Sequence, residues 1–145
     1  MDKRRDLEHA AEEIEQLFAD LWQVFPFSRG ARRGFRPQLD CYRTEANVVV
    51  LAELPGVDPE SIQLVAGSRG LVIAGVRRRP DEGGHYRQME IAYGPFQRQV
   101  TWDDEVDPEQ ATASYTRGML QISLPLAPER IRQERVEIHV RMVTG

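Results

Sequence analysis

ASYTRGMLQISLP, Ala113 to Pro125, reads as two short strands with a tight reversal between them. Ala113 and Tyr115 fall on one face, with Ser114 between them. After Thr116-Arg117-Gly118, Leu120, Ile122 and Leu124 alternate with Met119, Gln121 and Ser123. A period of two is the mark of a strand with one buried face. Gly118 can take positive φ at the corner without a steric penalty. Pro125, with no N–H for a ladder, closes the second strand.

Upstream the chain is β from Pro37 onward. PQLDCY gives a short strand with Leu39 and Cys41 on one side, and Thr44 to Asn47 turns. Val48 to Leu54, VVVLAEL, is apolar on both faces, so this strand is expected to be central or covered on both sides. Pro55-Gly56 stops it. Ile62, Leu64 and Ala66 alternate in the next strand, Gly67 to Gly70 reverses, and LVIAGV returns with Leu71 and Ile73 on one face. Arg77 to Gly84 is a charged, glycine-containing loop, and HYRQMEI has room for a strand within or after it. Tyr93 to Trp102 supplies a turn and a strand, and DDEVDPEQ an acidic turn. Seven or more short strands with turn punctuation point to an all-β, immunoglobulin-like antiparallel sandwich.

The two ends differ from this middle. Leu7, Ala11, Ile14, Leu17, Phe18, Leu21, Trp22 and Phe25 recur every three or four residues among acidic neighbours. That is an amphipathic helix over about 6–25, with Asp6 as a cap and Pro26 as a stop. One apolar stripe cannot satisfy itself. It packs on its own domain, on another subunit or on a client protein, and the spacing leaves these open. Phe27 to Arg36, with two glycines and four arginines, reads as a basic linker. At the far end LAPERIRQER is polar, and then Val136, Ile138 and Val140 alternate. The expected organisation is an N-terminal arm over 1–36, a sandwich over 37–125 and an extended tail over 126–145.

The 145 residues fit one domain with a tail at each end. Nineteen basic and 23 acidic residues give a net charge of −4, which points away from nucleic acid or an anionic membrane as the main partner. The longest wholly apolar run, Val48 to Ala52, is far short of a membrane span. The charged N-terminus has no apolar stretch of the signal-peptide kind behind it. With Cys41 the only cysteine, no internal disulfide is possible, and a cytoplasmic location is the default expectation.

No catalytic constellation emerges. His9, His85 and His139 have no metal-ligand spacing, and Cys41 has no partner arrangement. Asp103, Asp104 and Glu105 read as a solvated turn. The glycines at 67–70 and 83–84 do not precede a lysine-bearing helix, so no phosphate cradle is formed. No enzyme activity, cofactor or metal is expected.

Three stretches carry a family resemblance. Ala113, Gly118, Leu120, Ile122, Leu124 and Pro125 form the pattern A-x-x-x-x-G-x-L-x-I-x-L-P, which resembles the signature of the α-crystallin domain of small heat-shock proteins. Leu54-Pro55-Gly56-Val57, then Leu71, Ile73, Gly75 and Arg77, are similar to a second family element. Tyr93-Gly94-x-Phe96-x-Arg98 is similar to the third, as bacterial and plant members carry it. The three are collinear over residues 37–125. Trp102-Asp103 stands where the family usually has Leu-Pro, which bears on one end of the sandwich.

The resemblance implies an ATP-independent holdase that binds unfolding proteins and prevents their aggregation. Leu17, Phe18, Leu21, Trp22 and Phe25 are the expected client-binding residues. It implies a tail motif that enters a groove on a neighbouring domain. Val136-x-Ile138 and Ile138-x-Val140 fit that motif equally, with Leu64, Ala113 and Tyr115 as candidate groove lining. An ordinary terminal strand within its own domain is the plainer alternative. It also implies a dimer in which a loop strand near His85 to Glu90 pairs with the partner's strand near Leu39 to Tyr42. Leu39, Cys41, Tyr86, Arg87, Met89 and Arg98 are the expected interface residues, and the resemblance gives Arg98 an ion-pairing role. The other function class considered is a co-chaperone-like adaptor binding one folded partner.

Overall fold

The computed structural model describes residues 12–16, 34–127 and 136–143. Among the described residues nine strands form two sheets. β1 is Leu39–Arg43, β2 Asn47–Glu53, β3 Gln63–Gly67, β4 Gly70–Arg77 and β5 Gly94–Thr101. β6 is Thr112–Thr116, β7 Met119–Pro125, β8 Val136–Ile138 and β9 Val140–Met142. The first sheet runs β1-β2-β7-β6-β9 and the second β5-β4-β3-β8. Every pairing is antiparallel except β6 with β9.

The alternation in the sequence becomes the core. Val48, Val50 and Ala52 of β2 and Leu120, Ile122 and Leu124 of β7 face Leu64, Ala66, Leu71, Ile73 and Phe96 of the other sheet. β2 is central, between β1 and β7, as its run of apolar residues requires. Phe35, just before β1, packs on this core and meets Phe96 edge-on, with ring centroids 5.7 Å apart.

Three hairpins, β1–β2, β3–β4 and β6–β7, supply most of the local pairing. The last turns on Arg117 at φ 54° and Gly118 at φ 79°. Two successive positive φ values give the reversal that matches the right-handed twist of the flanking strands. Before the tail, the chain crosses between sheets twice. After β2 it passes through Leu54 to Ile62, where Asp58 caps a short 3-10 turn over Pro59–Ser61. After β5 it returns through the acidic turn to a second such turn at Pro108–Gln110, capped by Asp107. This crossing is stitched to the end of β7 by Asp107 N–H to Pro125 C=O (2.8 Å) and Ala127 N–H to Glu105 C=O (2.8 Å).

The acidic turn is not merely solvated, as its composition suggests. Asp104 pairs with Arg43 at 3.2 Å, and Glu105 with Arg69 at 2.9 Å. Trp102, the departure from the family pattern, fills this end of the sandwich and donates its indole N–H to the Ser68 carbonyl at 3.2 Å.

Candidate functional site

A sandwich offers chemistry at its edges, where strands present unpaired backbone groups. On one side β3 and β6 are the outermost strands of the two sheets before the tail joins them. The tail occupies both. β8 adds to β3, with Val136 opposite Ala66 and Ile138 opposite Leu64. β9 then adds to β6, with Val140 opposite Ala113 and Met142 opposite Tyr115. His139 is the exposed residue at which the tail passes from one sheet to the other. Ile138 is buried in the main core, and Val140 packs against it.

The three residues named as groove lining, Leu64, Ala113 and Tyr115, therefore sit on the two strands that receive the tail. The two overlapping motifs are used together: Val136 and Ile138 on one sheet, Val140 on the other. In this single chain the tail lies on its own domain. A cleft of about 620 Å³ runs alongside it, with Pro108, Ala111, Ala113, Val136 and Ile138 among its walls.

Tyr115 also reaches beyond its neighbour strand β7 to the segment that follows β2. Its hydroxyl donates to the Leu54 carbonyl at 2.6 Å, and the Leu54 N–H donates to the Gly118 carbonyl at 2.7 Å. The Leu-Pro-Gly segment is thus held on the corner of the β6–β7 hairpin.

On the opposite side, among the described residues, β1 pairs with β2 alone, and Asp40 to Arg43 are exposed. Leu39 packs on the core, whereas Cys41 is exposed. Residues 78–93, between β4 and β5, contain no strand, so the strand expected near His85 to Glu90 is not formed in the isolated chain. The reason is physical: an extended segment with no neighbour has no ladder to join. Tyr86, Met89 and Ile91 are each about 60 % exposed there, and Arg87 is exposed beside them.

The root of that loop is anchored by a residue whose role the sequence did not disclose. Arg77 is buried at the end of β4. Its guanidinium donates to the Ala92 carbonyl through Nε at 2.9 Å and through a second nitrogen, and to the Pro55 carbonyl at 3.4 Å. The Phe35 ring lies 3.7 Å beneath it and the Tyr93 ring 5.2 Å away. Carbonyl oxygens and ring faces thus solvate the buried cation. Arg79 extends the arrangement, stacking on Tyr93 at 4.5 Å and Tyr86 at 5.0 Å. Its signal in the sequence was the arginine of L-x-I-x-G-x-R, which named the position but not its contacts.

Arg98, on the edge strand β5, donates to the Pro37 carbonyl. Burial, with Arg36 nearby as the smaller cause, lowers its pKa from the ordinary guanidinium value. Leu17, Phe18, Leu21, Trp22 and Phe25 lie outside the described residues. Residues 12–16 form a helical segment, α1, resting on the second sheet. Among the described residues no group of three or more His, Cys, Asp or Glu is placed to hold a metal ion. Nor is any helix among them long and apolar enough to cross a membrane.

Two packed sheets with a strap-like tail across their edges and an exposed loop opposite make an immunoglobulin-like β-sandwich. The family model described as Hsp20/alpha crystallin family matches residues 40–141, and the chain belongs to that family. A chaperone role follows from this membership. The chain is 35 % identical over 114 residues to the 18 kDa heat shock protein of Streptomyces albus G, covering 74 % of this chain and 78 % of the relative. It is 33 % identical over 89 residues to a probable 15 kDa heat shock protein of Leptospira interrogans, covering 61 % and 68 % respectively. Among solved structures, HspA from Xanthomonas axonopodis superposes with a TM-score of 0.59 at 30 % identity, covering 65 % of this chain and 96 % of that one. A small heat-shock protein from Xylella fastidiosa gives 0.56 at 31 % identity, with coverage of 66 % and 94 %.

Proposed function

We propose that the protein is an ATP-independent holdase of the cytoplasm that captures unfolding proteins and keeps them from aggregating. The observation that carries this reading is the placement of unsatisfied apolar surface on a rigid sandwich. Tyr86, Met89 and Ile91 stand exposed on one loop. The arm adds Leu17, Phe18, Leu21, Trp22 and Phe25, which its spacing puts on one stripe. Such surface binds an unfolded chain in competition with that chain's self-association, and binding of this kind needs no nucleotide.

The protein acts as an assembly of itself. The open edge of β1, with Leu39 and Cys41, receives the partner's loop around Tyr86, Arg87 and Met89, which gains there the ladder it lacks alone. Arg98 stands near that junction as an ion-pairing residue. β3 and β6 accept a strand by backbone pairing with alternate side chains in pockets. A neighbour's Val136, Ile138 and Val140 fit those edges as well as the chain's own. Exchange of tails between dimers makes the contact heterologous and builds larger particles. The working parts are the arm over 1–36, the sandwich over 37–125 and the tail over 126–145.

Light scattering of a heat-labile client, heated with this protein and without nucleotide, tests the reading. Suppression saturating near stoichiometric ratios is the expected result. A folded protein that gives no suppression at any temperature refutes the holdase and favours an adaptor for one folded partner.

A further inference from the structure

The outer face of the β3–β4 hairpin is buried, although a sandwich normally turns that face to water. Leu64, Ala66, Leu71 and Ile73 point into the core, so the intervening Val65, Val72 and Ala74 point outward. Val72 is nonetheless 0 % exposed and Ala74 3 %. They form a second apolar cluster with Val65, and its fourth member is Ile14 of α1, 6 % exposed.

A polar clasp lies beside this contact. The Glu13 carboxylate accepts the Ser68 backbone N–H at 2.8 Å and the Ser68 hydroxyl at 3.4 Å. Ser68 belongs to the β3–β4 turn and is itself buried. Arg69, paired with Glu105, is the nearby cation. The turn is also cut to admit the helix. A Cβ on Gly67 would lie 1.8 Å from the Glu13 carboxylate, and one on Gly70 would lie 2.3 Å from the Ile14 side chain. Apolar contact, hydrogen bonding and steric clearance at one place describe a fitted surface.

We infer that the outer face of the β3–β4 hairpin is a helix-docking surface, that its occupant is the N-terminal arm of this chain, and that docking there withholds the arm from clients. The consequence for clients rests on the holdase reading; the docking does not. Ile14 shares its stripe with Leu17, Phe18 and Leu21 at spacings of three, four and seven residues. Ile14, packed against Val65 and Val72, is not simultaneously free for a client. Release of Ile14 and Glu13 uncovers two apolar surfaces at once: the stripe and the sheet face beneath it.

The test is hydrogen exchange by mass spectrometry on the full chain, with two variants. Ile14→Asp breaks the contact from the arm and leaves the sandwich core untouched. Gly70→Leu breaks it from the sheet and leaves the stripe intact. Both are expected to speed exchange at residues 12–16 by about tenfold or more while β2 and β7 exchange as in the wild type. Gly70→Leu is further expected to raise client capacity per subunit in the scattering assay. Unchanged exchange at residues 12–16 overturns the docking, and Ile14→Asp alone decides this should Gly70→Leu not fold. Faster exchange with unaltered client capacity keeps the docking and overturns the withholding. A wild type that suppresses no client aggregation removes the withholding together with the holdase reading, while exchange still decides the docking.

Discussion

Tyr115 donates its hydroxyl to the carbonyl of Leu54 at 2.6 Å across 61 residues of sequence. The bond joins the two stretches with the plainest patterns, the β6–β7 hairpin and the Leu-Pro-Gly turn. Leu54 is fully buried, so its carbonyl has no water to fall back on. Tyr115→Phe keeps the ring and removes the donor. The expected loss is roughly 1–3 kcal/mol in urea unfolding, with an unchanged slope against denaturant.

Gly118 meets the same turn from the other side. Its φ is 79°, and an added Cβ would sit 2.9 Å from the Pro55 Cα. Gly118→Ala combines a left-handed backbone with a close contact to backbone. A loss of about 2 kcal/mol or more is expected, read as a lower denaturation midpoint. A variant as stable as the wild type contradicts the role given to this corner.

Arg77 tests how the exposed loop is rooted. Lysine cannot reproduce the planar fork that meets Ala92 and Pro55 while lying on Phe35. Arg77→Lys is expected to cost roughly 1–3 kcal/mol and to speed limited proteolysis within residues 78–93. Cleavage at the wild-type rate would show that the root holds without the guanidinium.

The tail separates assembly from adaptor function. Val136, Ile138 and Val140 all replaced by serine lose their apolar fit to β3 and β6 while keeping the backbone. Size-exclusion chromatography with light scattering is expected to show large particles reduced to dimers. A particle size identical to the wild type argues against assembly through the tail.

Glu13 gives the arm a pH dependence. Burial raises its pKa, and the Ser68 hydrogen bonds and Arg69 offset only part of that rise. A carboxyl with a raised pKa when docked holds its proton more tightly there than in the free arm. Its contribution to docking is therefore fully present below the ordinary carboxylate range and is lost as pH rises through the raised value. Exchange at residues 12–16, corrected for intrinsic rates, is expected to slow on acidification across that window. Glu13→Gln, neutral throughout and still able to accept from Ser68, is expected to flatten the profile.

Much of the sandwich was legible from spacing alone. Alternation places Leu120, Ile122 and Leu124 on one face because a strand has a period of two, and it needs no knowledge of what lies opposite. The double-faced run at Val48–Leu54 announced a strand that is central or covered on both sides. The cover over Val72 and Ala74 was not announced: with Leu71 and Ile73 read as the buried face, these two look the same whether helix, sheet or partner lies over them.

Val136, Ile138 and Val140 in turn carried two overlapping motifs with one local pattern. Only pairing to β3 and then β6 distinguishes their partners, because a strand crossing between sheets changes neighbours without changing its own alternation. The acidic turn shows the same limit, since Arg43 and Arg69 are far from Asp104 and Glu105 in sequence.

Local periodicity and turn chemistry therefore determined the strands and the hairpins, and three collinear motifs carried the resemblance to the family. Tertiary structure alone decided which buried groups satisfy one another: Tyr115 with Leu54, Arg77 with Ala92, Glu13 with Ser68. Each of those contacts joins segments whose separation the fold, not the local sequence, closes. Desolvation makes each choice consequential, since a buried polar group without its partner costs more than most single contacts return.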